Sequence, residues 1–177
     1  MNHAYKAMRS FWLDVKNLQH KQEVPQLGDC HICVAGVEMA ALDRNGKIKN
    51  LIIAASTLGN ASMYFENNSA SGLGGFTGGA ADGPVREKAN LLLQQAAAVA
   101  DKLPLVSELK EQQDAAHVTL FVVSCNGEMR AQDVAEADVR NPAHALYGFF
   151  AYTQQLLGAF RAEHEAATAK KPSAEQH

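Results

Sequence analysis

The stretch "GDCHICVAGVEMAALDRNGKIKNLIIAAS", residues 28–56, predicts a β-hairpin at the centre of the fold. Both arms are rich in small and β-branched residues, and β-branched residues favour strands. Between the arms lies "DRNGK", in which Asn45-Gly46 supplies the positive φ angles of a tight hairpin turn. We therefore expect paired strands over 28–43 and 48–56.

A third strand and a second hairpin extend this pattern. The segment "ASMYFEN" (61–67) alternates in polarity as a short strand does. The run "HVTLFVVSC" (117–125) is dense in Val and Phe, and Asn126-Gly127 turns it into "EMRAQDV". These segments add three strands to the first two.

Apolar residues at three- and four-residue steps predict helices over 5–18, over 84–103 and from Asn141-Pro142 to 160. The polar segment 107–116 is interpreted as a helical turn or a loop. The fold class is therefore α+β: an antiparallel sheet of about five strands, with N-terminal, central and C-terminal helices packed on one face. We expect one domain over 1–161 and a mobile tail over 162–177, which lacks an apolar stripe.

Charge and composition exclude several classes of protein. The net charge is −3 and no basic cluster exceeds Lys170-Lys171, so nucleic acid is not an expected ligand. No apolar run is long enough to span a bilayer and the N-terminus has no secretory signal, so no membrane association is expected. Three cysteines without an export signal predict reduced thiols and a cytoplasmic location.

The glycine-rich segment "SASGLGGFTGGAADGP" (69–84) precedes the central helix and is the main candidate for a binding loop. A dinucleotide fingerprint starting at Gly72 needs glycine at Thr77, and a P-loop needs Gly-Lys-Ser/Thr where Gly79 is followed by Ala80. Both motifs fail. A generic anion-binding nest, a structural crossing loop and a loop that contacts a partner protein stay open.

Cysteines and histidines give no complete catalytic or metal-binding motif. "CHIC" (30–33) is half of a zinc site, and Cys125 lies on a different predicted strand. A site that adds His31, His117 or His144 stays open, but buried, inert thiols are the favoured interpretation. His144 is interpreted as a surface or capping residue. We expect no catalytic residue, no metal and no cofactor.

Three stretches together resemble a group of small uncharacterised bacterial proteins. They are "NASMYFENNSASGLGGFTGG", the helix pattern "REKANLLLQQA", and "NPAHALYGFFAYTQQLLGAFR", which is a His-x-Leu aromatic helix ending in arginine. The likeness covers roughly 60–161. It implies a protein similar to immunity proteins, which are encoded beside secreted toxins and block them.

The expected function is accordingly a non-enzymatic, cytoplasmic immunity protein that occludes a toxin domain encoded nearby. Tyr64 and Phe76 would supply aromatic contacts, and Glu66 and Asp82 acidic ones. The alternative is a phosphate- or carboxylate-binding domain or enzyme that uses the loop 72–83, with Arg86 as counter-charge. The full set of expected partner-binding residues is Tyr64, Glu66, Ser71, Gly72, Gly74, Gly75, Phe76, Thr77, Gly78 and Asp82.

Overall fold

A seven-stranded antiparallel sheet forms the centre of the computed structural model, which describes residues 3–14, 32–57, 59–66, 73–78 and 83–169. Its strands are β1 (Ile32–Leu42), β2 (Ile48–Ser56), β3 (Ala61–Glu66), β4 (Leu73–Gly78), β5 (Leu105–Val106), β6 (His117–Ser124) and β7 (Met129–Ala135). Their order across the sheet is β4-β3-β2-β1-β6-β7-β5.

Four α-helices lie within the described residues, and they confirm the α+β class. They are α1 (His3–Leu13), α2 (Pro84–Val99), α3 (Glu136–Val139) and α4 (Tyr147–Ala169), with a 3₁₀ turn over Ala100–Lys102. The last long helix begins six residues later than predicted, because 141–146 form turns. Helix α4 continues to Ala169, so that part of the predicted tail is helical; 170–177 lie outside the described residues.

Both predicted hairpins are confirmed. In β1–β2 the register runs from Val34 opposite Ser56 to Leu42 opposite Ile48, and Gly46 has φ +73°. In β6–β7 the turn glycine, Gly127, has φ +90°. The positive angles explain why glycine follows asparagine at each turn.

The sheet has helices on both faces, which corrects the expectation of one covered face. Alternate residues of β1 point to opposite sides: Ala35 and Val37 join the core beneath α2 and α4, whereas Val34 joins a second core with Tyr5 and Trp12 of α1. The larger core includes three aromatic side chains of α4, each contributing about 1.5–3 kcal/mol by burial: Phe149, Phe150 and Phe160.

The described part of the chain contains seven strands, not about five. The two additional strands are β4, in the glycine-rich segment predicted as a loop, and β5, a two-residue strand paired with β7. The sequence of β4 does not predict a strand, because it is rich in glycine and strands are depleted in glycine. Pairing along all of β3 overrides that weak local preference.

Candidate functional site

Strand β4 forms one outer edge of the sheet and is the candidate interaction edge. It pairs with β3 from Ala61 opposite Gly78 to Glu66 opposite Leu73, without a shift in register. Within the described residues no further strand lies beyond β4. The alternate N–H and C=O groups that face away from β3 are therefore directed at the position an added strand takes.

The two edges of the sheet differ in how they are protected. Natural edge strands usually carry charge, proline or a bulge, or are very short. The sequence of β4, "LGGFTG", has no charged residue and no proline over six residues, and its ladder has no bulge. The opposite edge, β5, is only two residues long and follows Pro104. Among the described residues, β4 is thus the longer of the two edge strands, and it carries no charge or proline.

Gly75 is needed in β4 because of a close approach from β3. A Cβ at Gly75 would lie 2.5 Å from the carbonyl oxygen of Met63 and 2.6 Å from Cδ1 of Tyr64, directly across the ladder. The ring of Tyr64 occupies the space that a side chain would take. Gly75 does not have a positive φ. Close packing of Tyr64 is the physical reason for the glycine.

The other expected contact residues divide into three groups. Gly74 is half-buried, and Phe76, Thr77 and Gly78 belong to β4 through their backbone. Ser71, Gly72 and Asp82 lie outside the described residues. Glu66 is only 7% exposed, and its Oε2 accepts hydrogen bonds from the backbone N (3.1 Å) and Nδ2 (3.2 Å) of Asn50. The expectation that Glu66 is a surface acidic contact is therefore wrong.

The geometry of β4 also bears on the anion-binding alternative. A nest gathers successive N–H groups around one anion, whereas an extended, paired strand directs them alternately to opposite sides. Residues 73–78 are extended and paired. Gly83 at the start of α2 is also extended, with φ −164°, and no side chain caps the helix. The described part of the loop is therefore not a nest.

A buried charged cluster beneath α1 was missed from the sequence. Glu38 of β1 has no exposed surface. Arg9 of α1 donates hydrogen bonds to both of its carboxylate oxygens, from Nε to Oε1 at 2.9 Å and from Nη2 to Oε2 at 2.9 Å. The Tyr5 hydroxyl donates to Oε1 at 3.2 Å. Burial raises the pKa of Glu38 and of Tyr5. One signal was present: Glu38 is the only charged residue in the apolar strand "ICVAGVEMAAL".

An open cleft of about 1040 Å³ lies beside this cluster, between α1, the segment 106–114 and strands β6 and β7. At its rim His117 Nδ1 lies 2.7 Å from Asp133 Oδ2, and this hydrogen bond raises the pKa of His117. The other Asp133 oxygen accepts from Gln112 Nε2 at 2.8 Å and from the Thr119 hydroxyl at 3.3 Å. The Asp133 carboxylate thus connects segment 106–114, through Gln112, to the sheet by hydrogen bonds.

Two cysteines predicted as inert thiols are joined as a disulfide. Cys33 and Cys125 are bonded, with Cα atoms 5.0 Å apart. Cys33 lies where the β1–β6 register shifts between Ile32 and Val34, and Cys125 directly follows β6. The prediction of reduced thiols is wrong for this pair, and the argument from thiols for a cytoplasmic location is lost with it. Cys30 lies outside the described residues.

Two further observations concern a hydrogen bond of His144 and the length and polarity of the described helices. His144 Nδ1 accepts a hydrogen bond from the backbone N of Leu146 at 3.2 Å, in the turn that precedes α4. Among the helices described, none is both long and apolar enough to cross a membrane.

Over the residues described, the fold defines an α+β protein with a seven-stranded antiparallel sheet, helices on both faces and an edge strand, β4, without charge or proline. Comparison with family models, with curated proteins and with solved structures gave no match for the chain.

Proposed function

We propose that the chain is a non-enzymatic protein-binding module that pairs an extended strand of a partner with β4. The observation that supports this is the six-residue edge without charge, proline or bulge. Strand addition obtains affinity from main-chain hydrogen bonds and specificity from alternate side chains. Gly74 and Gly75 have no side chains, so a partner backbone can approach this part of the edge closely.

The partner that best fits the sequence resemblance is a bacterial toxin domain encoded nearby. In this proposal the chain is an immunity protein, and the bound toxin segment extends the sheet while the body of the protein occludes the toxin surface. A cytoplasmic site of action belongs to the same proposal. It requires the Cys33–Cys125 bond to be compatible with a reducing compartment, where most disulfides are reduced.

The test is co-purification of the tagged chain with the product of the adjacent gene. The edge variant is Gly74→Lys, because a lysine on an edge strand opposes pairing with another strand. The control is Leu105→Lys, which places the same charge on the opposite edge at a side chain that is 60% exposed. Far-UV circular dichroism and thermal melting verify that both variants fold.

We expect wild type and Leu105→Lys to retain the partner and Gly74→Lys to lose it. Equal retention by all three proteins moves the interface away from β4. No retention of any adjacent gene product by wild type removes the immunity assignment.

A further inference from the structure

The β1–β2 hairpin projects beyond the rest of the sheet. On one side, β3 pairs with β2 only as far as Leu51, and on the other, β6 pairs with β1 only as far as Met39. The hairpin itself continues to the pair Leu42–Ile48. Residues 40–50, called the hairpin tip below, therefore make no ladder pairs outside the hairpin among the described residues, although Asn50 at its base is hydrogen-bonded to the Glu66 side chain.

The hairpin tip is held in one shape by its own turn. Asp43 Oδ1 accepts from the backbone N of Asn45 at 2.8 Å and of Lys47 at 2.9 Å. The backbone N of Asp43 donates to the Lys47 carbonyl at 2.8 Å. These two N–H donors lower the pKa of Asp43. A turn ordered in advance loses little entropy on binding.

The surface of the hairpin tip combines an apolar pair with cations. Leu42 is 62% exposed and Ile48 is 40% exposed, and they lie directly opposite each other. The tip carries three cations, on a chain whose net charge is −3: Arg44 and Lys47 at the turn, and Lys49, which alternation along β2 places on the face opposite Ile48. The Asp43 carboxylate, which accepts the turn hydrogen bonds, keeps its charge, so the tip has three cations against one carboxylate and presents a net basic and apolar surface.

The cleft beside α1 has the complementary chemistry. Its apolar lining is Val106, Leu109 and Ala131, and its carboxylates are Glu108, Glu111, Asp114 and Asp133. Of its two cations, Arg9 is paired with Glu38, and Lys110 is the other. Glu111 also pairs with Lys6 of α1 at 3.2 Å, with both side chains largely exposed. The cleft is therefore acidic around an apolar floor.

The hairpin tip and the cleft lie at the same end of the same face of the sheet. Thr119, which lines the cleft, is directly opposite Glu38, and Glu38 is two residues before the tip begins. Side chains alternate along a strand, so Leu42 shares the α1 face with Glu38. A two-fold dimer pairs each patch of one copy with the other patch of its partner, so two complementary patches on one chain are compatible with such a dimer.

We propose that two copies of this chain form a symmetric dimer in which each hairpin tip enters the cleft of the other copy. Leu42 and Ile48 cover the apolar floor, and Arg44 and Lys47 at the turn face the cleft carboxylates. This inference does not depend on the proposed function, because no residue of the tip or cleft belongs to β4.

The test is sedimentation-equilibrium measurement of the mass of the full chain at up to roughly 100 μM, a range that detects micromolar dimers. We expect a dimer at about 0.05 M NaCl whose dissociation constant rises roughly tenfold or more at about 0.5 M NaCl, because salt screens exposed charges. A wild-type monomer at low salt overturns the proposal.

Charge reversal identifies the surfaces. The tip variant Arg44→Glu/Lys47→Glu and the cleft variant Glu108→Lys/Glu111→Lys are each expected to be monomeric, and their combination in one chain restores the dimer. The control Lys102→Glu/Arg161→Glu makes the same charge change as the tip variant at two exposed residues outside the tip and cleft. Dissociation of the control to the same extent, or a combined variant that stays monomeric, contradicts the proposal.

Discussion

The ion pair between Arg9 and Glu38 fixes α1 to the sheet, and Arg9→Met measures its contribution to stability. Arg9 makes two hydrogen bonds of 2.9 Å to the Glu38 carboxylate and further ones to the carbonyl oxygens of Leu109 (2.6 Å) and Lys110 (3.0 Å). Methionine retains an apolar stem of similar length but leaves a carboxylate with no exposed surface unpaired.

Removing one partner of a buried pair costs about 3–5 kcal/mol. Because the Tyr5 hydroxyl still donates to Glu38, we expect the lower end, about 3 kcal/mol. For a chain of this length such a loss lowers Tm by roughly 6–12 °C. Urea denaturation at neutral to mildly alkaline pH gives the change in the free energy of unfolding.

The pH dependence of the loss has a definite sign. Burial raises the pKa of Glu38 in the folded protein and Arg9 lowers it, so Arg9→Met raises it further. A carboxyl whose pKa is higher in the folded state contributes its stability at low pH and loses that contribution as pH rises through the folded-state pKa. The deficit of Arg9→Met relative to wild type is therefore larger at about pH 8 than at about pH 5, where Glu38 more readily takes up a proton.

Two variants control this experiment. Lys6→Met removes the exposed pair with Glu111 on the same helix, and we expect a change of about 0–1 kcal/mol. The double variant Arg9→Met/Glu38→Met removes both charges and is expected to recover most of the loss. A loss for Arg9→Met below about 1 kcal/mol, or one that is the same at both pH values, refutes the reasoning.

Two further predictions concern the sheet. Cys125→Ser opens a cross-link between residues 92 positions apart and is expected to lower the free energy of unfolding by about 4 kcal/mol, measured with urea; a midpoint equal to that of oxidised wild type contradicts this. Gly75→Ala places a methyl group against Met63 and Tyr64 and is expected to cost about 1–3 kcal/mol. The matched control is Gly158→Ala, in α4, where an added methyl group has nothing within 4 Å; it is expected to stabilise the protein by about 0.5–1 kcal/mol. If Gly75→Ala is as stable as wild type, the packing explanation for Gly75 is wrong.

Local signals in the sequence predict the middle of the sheet but not its margins. Asn45-Gly46 and Asn126-Gly127 mark turns whose geometry depends on adjacent residues, so both hairpins are predictable. Strand β4 forms because β3 offers a complete partner, and α1 covers the second face through the distant pair of Arg9 and Glu38. Contacts between residues far apart in the sequence leave no periodic pattern. The predictions of a loop in the glycine-rich segment and of helices on only one face of the sheet were therefore wrong.

The candidate site was likewise predictable from the sequence only in part. The segment around Gly74 and Gly75 is identified because runs of glycine are unusual, whereas the need for glycine at position 75 comes from the close approach of Met63 and Tyr64, which no sequence pattern shows. The cleft could not be predicted, because Gln112, Thr119 and Asp133 meet only when segment 106–114 folds over β6 and β7. Glu38 alone gave a signal, as a single carboxylate in an apolar strand.

The two proposed interaction surfaces lie in different parts of one sheet. Strand β4 is three positions from β1, which carries the hairpin tip, and the cleft lies beyond β1 on β6 and β7. The pairing edge of β4 points away from these strands, along the direction in which the sheet would grow. A partner strand on β4 and a second copy at the tip and cleft therefore contact different residues. Two copies joined at the tips would carry two β4 edges and bind two partner strands.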